Sequence, residues 1–223
     1  MSNAQEFDFE NARELMVEAQ VRTWEVLDPA VLDAMRNVAR EDFVPQRFHN
    51  LAYADSNIPL AHGEVMLQPK VEGRLLQSLD LSKNDRVLEV GTGSGYLTAL
   101  LAQLADSVRS IDIHEDFTAE ARDNLKGLDL DNVTLESGDA SKLDDIGEQF
   151  DAIVVTGSMP ELHDSFRKAL KVGGRLFVII GRDPIMEAQL HTRVSENDWA
   201  EASLFDTKVP ALVNAWNPQR FTL

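Results

Sequence analysis

The stretch Val87-Leu88-Glu89-Val90-Gly91-Thr92-Gly93-Ser94-Gly95-Tyr96 decides the fold. A mostly apolar run suited to a buried strand stops at three glycines in alternate positions, and residues 97–104 then recur with a helical period. Glycine permits a tight turn and lets a ligand approach backbone that a Cβ would otherwise shield. The amides at the start of the following helix favour a polar or anionic ligand group. A dinucleotide fingerprint, G-x-G-x-x-G, puts its third glycine five positions after the first. Here the third glycine comes four positions on, and Tyr96 holds the fifth.

Beyond this turn the chain alternates. Short apolar runs at residues 86–90, 108–113, 133–136, 152–155 and 175–180 read as strands, with helices expected at 97–104, 116–126 and 162–170. Such alternation predicts a doubly wound, Rossmann-like α/β fold, its mostly parallel sheet covered by helices on both faces. Residues 187–193 and 203–209 alternate apolar and polar side chains, which adds two antiparallel strands and brings the sheet to seven. The N-terminal part reads differently. Phe9, Ala12, Leu15, Met16 and Ala19 share one helix face, and Asp28-Pro29 offers a cap and a first-turn proline for a second helix. Pro45, Pro59, Gly63 and Pro69 make residues 43–70 loop-like. One domain is expected over residues 1–223, with a helical extension at 1–80 and the α/β core at 81–223.

Composition removes several function classes. The chain has 223 residues, 21 of them Lys or Arg and 38 Asp or Glu, for a net charge of −17. That average field repels nucleic acid and anionic membrane surfaces, so neither is an expected partner. There is no cysteine, which excludes disulfides, thiolate metal sites and cysteine nucleophiles. No apolar run reaches the roughly 18 residues of a membrane span, and the N-terminus lacks a signal-peptide pattern, so a cytoplasmic protein is expected. No metal is expected.

Two acids follow the glycine turn at the ends of later strands. Asp112 lies 21 residues after Gly91, where a carboxylate can accept from ribose hydroxyls, and Asp139 follows Gly138, where one can accept from an adenine amine. Open parallel sheets bind ligands at these carboxyl ends. The G-x-G-x-G spacing and the two acids favour S-adenosyl-L-methionine as cofactor over a nicotinamide, which a hydride-transferring oxidoreductase would use.

The chain resembles the protein-L-isoaspartate O-methyltransferase family, within the class I methyltransferases, over nearly its whole length. The resemblance is carried by residues 28–35 (DPAVLDAM), 40–45 (REDFVP), 51–53 (LAY), 58–63 (IPLAHG), 86–96, Asn132-Val133, Gly138-Asp139, 150–156 (FDAIVVT) and 170–176. It implies that Glu89, Gly91, Thr92, Gly93, Gly95, Asp112, Ile113, Gly138, Asp139, Ala140 and Thr156 surround the cofactor. It also implies methyl transfer to the free carboxylate of an isoaspartyl residue in a damaged protein or peptide, the first step of repair.

One departure touches the chemistry. The family usually carries Thr-Ile-Ser shortly before a proline, and here Val65 and Leu67 occupy the threonine and serine positions, so both hydroxyls are gone. An ionised carboxylate acceptor needs no general base, and catalysis can rest on alignment in a dry site. A lost donor is more serious, costing on the order of 2.7 to 4 kcal/mol by analogy with oxyanion holes. Leu67 therefore marks the catalytic position, and His62 and Gln68 are the candidate replacement donors. The alternative is a family member that binds the cofactor but has another acceptor or a regulatory role.

Overall fold

A computed structural model describes residues 7–144 and 146–217. The N-terminal part supplies α1 (Phe9–Met16), α2 (Pro29–Asn37), the two-residue strands β1 (Ile58–Pro59) and β2 (Val65–Met66), and α3 (Pro69–Leu79). The remainder supplies β3 (Arg86–Val90), α4 (Tyr96–Leu104), β4 (Ser107–Asp112), α5 (Glu115–Leu125), β5 (Val133–Ser137) and β6 (Phe150–Met159). It closes with α6 (Asp164–Lys168), β7 (Leu170–Arg182), β8 (Ile185–Arg193) and β9 (Trp199–Asp206).

Strands β3 to β9 form the expected seven-stranded sheet, in the order β5-β4-β3-β6-β7-β8-β9. The first five positions in that order are parallel, and β8 and β9 are antiparallel. Chain order reverses on either side of β3, which pairs with β4 in register Val90↔Ile111 and with β6 in register Val90↔Val155. The carboxyl end of β3 is therefore the switch point at which such sheets hold ligands.

Alternation along the strands divides the apolar core between the two faces of the sheet. Val87, Val108, Ala152, Val154 and Phe177 join α3, α4 and the N-terminal part in one buried cluster. Their neighbours Leu88, Ile153, Val155, Leu176 and Val178 join Phe166 of α6 in the other. The N-terminal helices share the first cluster: Met16, Val21, Leu32 and Met35 are buried in it with Leu100 and Leu101. Gly73 of α3 lies against a widened helical turn at Val17–Val21, where a Cβ would stand 2.8 Å from Val21 Cγ1. The close approach explains a glycine in mid-helix despite its intrinsic cost.

Three elements differ from the sequence reading. The last strand runs Trp199–Asp206 instead of 203–209, because Asp198 accepts from Val194 N at 2.9 Å and from the Ser195 hydroxyl at 2.8 Å. That turn brings Trp199 opposite Arg193. The helix expected at 162–170 shrinks to Asp164–Lys168, since Leu170 already pairs with Phe150 in the sheet. Within the loop-like 43–70 segment, Ile58↔Met66 and Pro59↔Val65 form a ribbon.

Candidate active site

The carboxyl ends of β3 to β6 open onto a crevice. Its sheet side is built from backbone. Gly91 and Gly93 adopt φ of 97° and 52°, conformations that strain any residue with a Cβ. A Cβ on Gly91 would overlap Thr156 Oγ1, and that hydroxyl donates to the carbonyls of Val90 and Gly91, each at 3.1 Å. The turn is thus tied to β6 across the switch point.

Asp112 is 6% exposed and holds the loop from beneath. One of its oxygens accepts from Gly93 N at 3.0 Å and the other from His114 N at 2.9 Å. A carboxylate oxygen accepts more than one bond, so both retain capacity for a pair of ligand hydroxyls. Asp139 accepts from Ser141 N at 2.9 Å and from the Asn214 amide at 2.8 Å. Burial opposes its ionisation, but these partners outweigh burial and hold the carboxyl below its ordinary range. Ile113, Gly138 and Ala140 complete this side.

The facing wall is largely apolar. Leu60, Val65, Met66 and Leu67 come from the ribbon, and Pro210, Leu212 and Val213 from the returning C-terminal segment. That segment is seated by a bridge between Ser158 and Ala211, with Ser158 N donating to Pro210 O at 2.9 Å and Leu212 N to Ser158 O at 2.8 Å. Gly157 lies under it, where a Cβ would meet Leu212 backbone at 2.9 Å. Glu64 is the half-buried acid of this wall. Burial raises its pKa and the Asp112 charge adds to the rise, while His114 and His62 oppose it.

Of the residues singled out in the sequence, Gly91, Thr92, Gly93, Asp112, Ile113, Gly138, Asp139, Ala140, Thr156 and Leu67 line the crevice. Four others lie outside its lining. Glu89 is fully buried below the turn, accepting from Thr98 Oγ1 at 2.5 Å and Ser110 Oγ at 2.6 Å, with Ser110 in turn 2.6 Å from Thr92. Burial pushes its carboxyl up to about 8. Glu89 braces the turn from below through one oxygen, while its other oxygen is buried without a hydrogen-bond partner among the described residues. Gly95 serves packing, since a Cβ there would stand 2.9 Å from Ala121 Cβ on α5. Gln68 precedes α3 with no side-chain cap bond. His62 is turned to α5, where it meets Asp116 at 2.7 Å and stacks on His114 with ring centres 3.9 Å apart.

Glu72 and Tyr96 line the crevice and escaped the sequence reading as site residues. Both touch Arg40, which is fully buried and bonds to Glu72, to the Leu67 carbonyl and, at 2.8 Å, to the Ala52 carbonyl. Burial pushes the Glu72 carboxyl above its ordinary value, against the pull of Arg40. A signal existed: Glu72 stands on the stripe Glu72, Leu75, Leu76, Leu79, where an acid interrupts an otherwise apolar helix face.

The arrangement fits a nucleoside sulfonium. Cβ-free backbone at the turn, unspent lone pairs on Asp112 and an apolar wall opposite match an amino-acid tail, a ribose and a methyl-bearing centre. Fold and site together define a class I methyltransferase. The chain belongs to the protein-L-isoaspartate(D-aspartate) O-methyltransferase family, whose model matches residues 10–209. It is 38% identical over 206 residues to protein-L-isoaspartate O-methyltransferase 1 of Rhodopseudomonas palustris strain HaA2, covering 92% of this chain and 84% of that one. Identity to protein-L-isoaspartate O-methyltransferase 2 of Pelobacter propionicus is 36%, covering 92% of each. The fold matches a Plasmodium falciparum structure described as a protein-L-isoaspartate O-methyltransferase in complex with S-adenosyl-L-homocysteine. The TM-score is 0.78 at 21% identity, over 93% of this chain and 99% of the other.

Proposed function

We propose that this chain methylates the free carboxylate of isoaspartyl residues in damaged proteins or peptides, using S-adenosyl-L-methionine. The observation that carries the reading is the crevice itself, which brings the glycine turn, two strand-end acids and the family's acceptor loop to one place in a chain of that family. Gly91, Thr92 and Gly93 accommodate the methionine portion, Asp112 accepts from the ribose, and Ile113, Gly138, Asp139 and Ala140 surround the adenine. Thr156 holds the turn in shape. Glu89 and Gly95 support it from below and behind. When bound, the cofactor supplies an electrophilic methyl group on a positively charged sulfur.

The protein's task is alignment. An isoaspartyl carboxylate is ionised at neutral pH, so no residue has to remove a proton. The apolar side chains of Leu60, Val65, Leu67 and Leu212 exclude water from the attacking oxygen, which strengthens its attraction to the sulfonium. Among the described residues no helix is long and apolar enough to cross a membrane. A cytoplasmic location and a protein rather than nucleic-acid partner are part of the proposal.

Calorimetry with S-adenosyl-L-homocysteine tests the cofactor half, and label transfer from S-adenosyl-L-methionine to an isoaspartyl peptide tests the acceptor half, with the aspartyl isomer as control. Binding with base-labile methyl ester on the isoaspartyl peptide alone is expected. Binding without transfer would favour the alternative reading, a cofactor-binding protein with another acceptor or none. Absence of binding would remove both.

A further inference from the structure

Leu67 and Tyr96 both line the crevice, and a single guanidinium joins them. Arg40 donates to the Leu67 carbonyl, and its guanidinium carbon lies 4.6 Å from the centre of the Tyr96 ring. Tyr96 is 1% exposed, and its hydroxyl has no hydrogen-bond partner among the described residues. Arginine only donates, so Arg40 can serve the phenol's lone pairs and never its hydrogen. A buried hydroxyl hydrogen without an acceptor costs stability, so native structures keep few such groups, and a catalytic role is one reason to keep one. Phenylalanine would fill the same space without that cost. The orphan therefore calls for an acceptor from outside the fold. Leu67, held by the same guanidinium, is where the resemblance expects a serine at the active site.

We propose that the Tyr96 hydroxyl donates to the acceptor carboxylate and orients it for methyl transfer, in place of the hydroxyls that Val65 and Leu67 lack. The assignment rests on the isoaspartyl reading above. One carboxylate oxygen accepts from Tyr96. The other forms the new bond to the methyl carbon as the carbon–sulfur bond breaks and its electron pair passes to sulfur. The negative charge of the carboxylate and the positive charge of the sulfonium cancel, and no proton moves. Burial pushes the Tyr96 phenol above its usual value, so it stays a donor throughout the neutral range.

The test is Tyr96→Phe in the full chain, with three readouts. Expected are a fall of about 10- to 100-fold in kcat/KM for the isoaspartyl peptide, the range that misplacement of a reacting group produces, an unchanged Kd for S-adenosyl-L-homocysteine, and a Tm equal to or above wild type. Adding Leu67→Ser to that variant should restore much of the lost rate, by returning a hydroxyl to the same region. Wild-type activity together with a raised Tm would overturn the proposal and leave Tyr96 as a packing residue. A loss of S-adenosyl-L-homocysteine affinity matching the loss of rate would overturn it as well, placing the hydroxyl on the cofactor. If wild type binds S-adenosyl-L-homocysteine yet methylates no isoaspartyl peptide, the acceptor reading fails first and takes this assignment with it.

Discussion

The sheet wall of the crevice, Gly91 to Ser94 with Asp112 and Asp139, meets a ligand with bare backbone and carboxylates already tied to N–H groups. The wall of residues 60–67 and 210–213 meets it with apolar side chains around one half-buried acid, Glu64. Local geometry sets the first: a strand ends, glycines turn, and an acid one strand away braces the loop. Contacts distant in the chain set the second, through Arg40, Glu72 and the returning tail. Cofactor binding should therefore respond to changes within a few residues of Gly91, whereas acceptor chemistry should respond to changes deep in the N-terminal part.

Arg40→Met would strain this contrast most. It leaves Glu72 buried without its partner and frees the Leu67 carbonyl, so a loss of ~3–5 kcal/mol is expected in urea unfolding. Arg40→Met with Glu72→Leu should recover much of it, because apolar replacement of both partners of a buried pair is often neutral. A neutral single variant would detach the acceptor wall from this pair. Gly91→Ala comes next. The added Cβ overlaps Thr156 Oγ1 at a φ of 97°, and S-adenosyl-L-homocysteine affinity should fall by more than about tenfold, ~1.4 kcal/mol. Asp112→Asn should cost about as much as one charge-assisted hydrogen bond, ~1.5 kcal/mol, because one oxygen that accepts from Gly93 or His114 becomes a donor facing a donor. Calorimetry reads both.

The smallest effect on the crevice is expected from Glu89→Gln, which should leave cofactor affinity within about twofold, since Thr98 and Ser110 can still donate to the amide oxygen. Its signature lies in pH dependence. Burial pushes the folded carboxyl from an ordinary 4.5 up to about 8, so the folded state holds the proton more tightly than the unfolded chain. This stability contribution is complete below pH 4.5 and is lost as pH rises toward 8. Glutamine cannot ionise, so the variant's stability relative to wild type should grow between pH 5 and pH 8 in paired urea titrations. An unchanged difference across that range would mean that Glu89 is ionised in the fold and would weaken the picture of a dry floor beneath the turn.

Legibility in the sequence divides along the same line. The glycine turn, the strand-end acids and the parallel sheet could be read because each depends on periodicity or spacing within a few residues. The link between Arg40 and Glu72 spans 32 positions, and nothing local pairs them. His62 was a reasonable donor by its distance from Leu67 along the chain, but its partner Asp116 lies 54 positions away and turns the ring toward α5. The final strand slid toward the N-terminus because the Val194–Asp198 turn closes early, a detail of side-chain capping that alternation does not encode. Val65 and Leu67 were legible as departures. What Tyr96 offers beside them was not, since an unpartnered hydroxyl is a property of three-dimensional surroundings.

The tail that returns over Gly157 has one more consequence. Pro210, Leu212 and Val213 line the crevice, and the Asn214 amide donates to Asp139 across it. One side of the crevice thus depends on a segment outside the seven-stranded sheet. A chain cut before Pro210 would keep the sheet and its turn yet lack one side of the cleft, so a protease nick in this segment should weaken ligand retention while leaving the core folded.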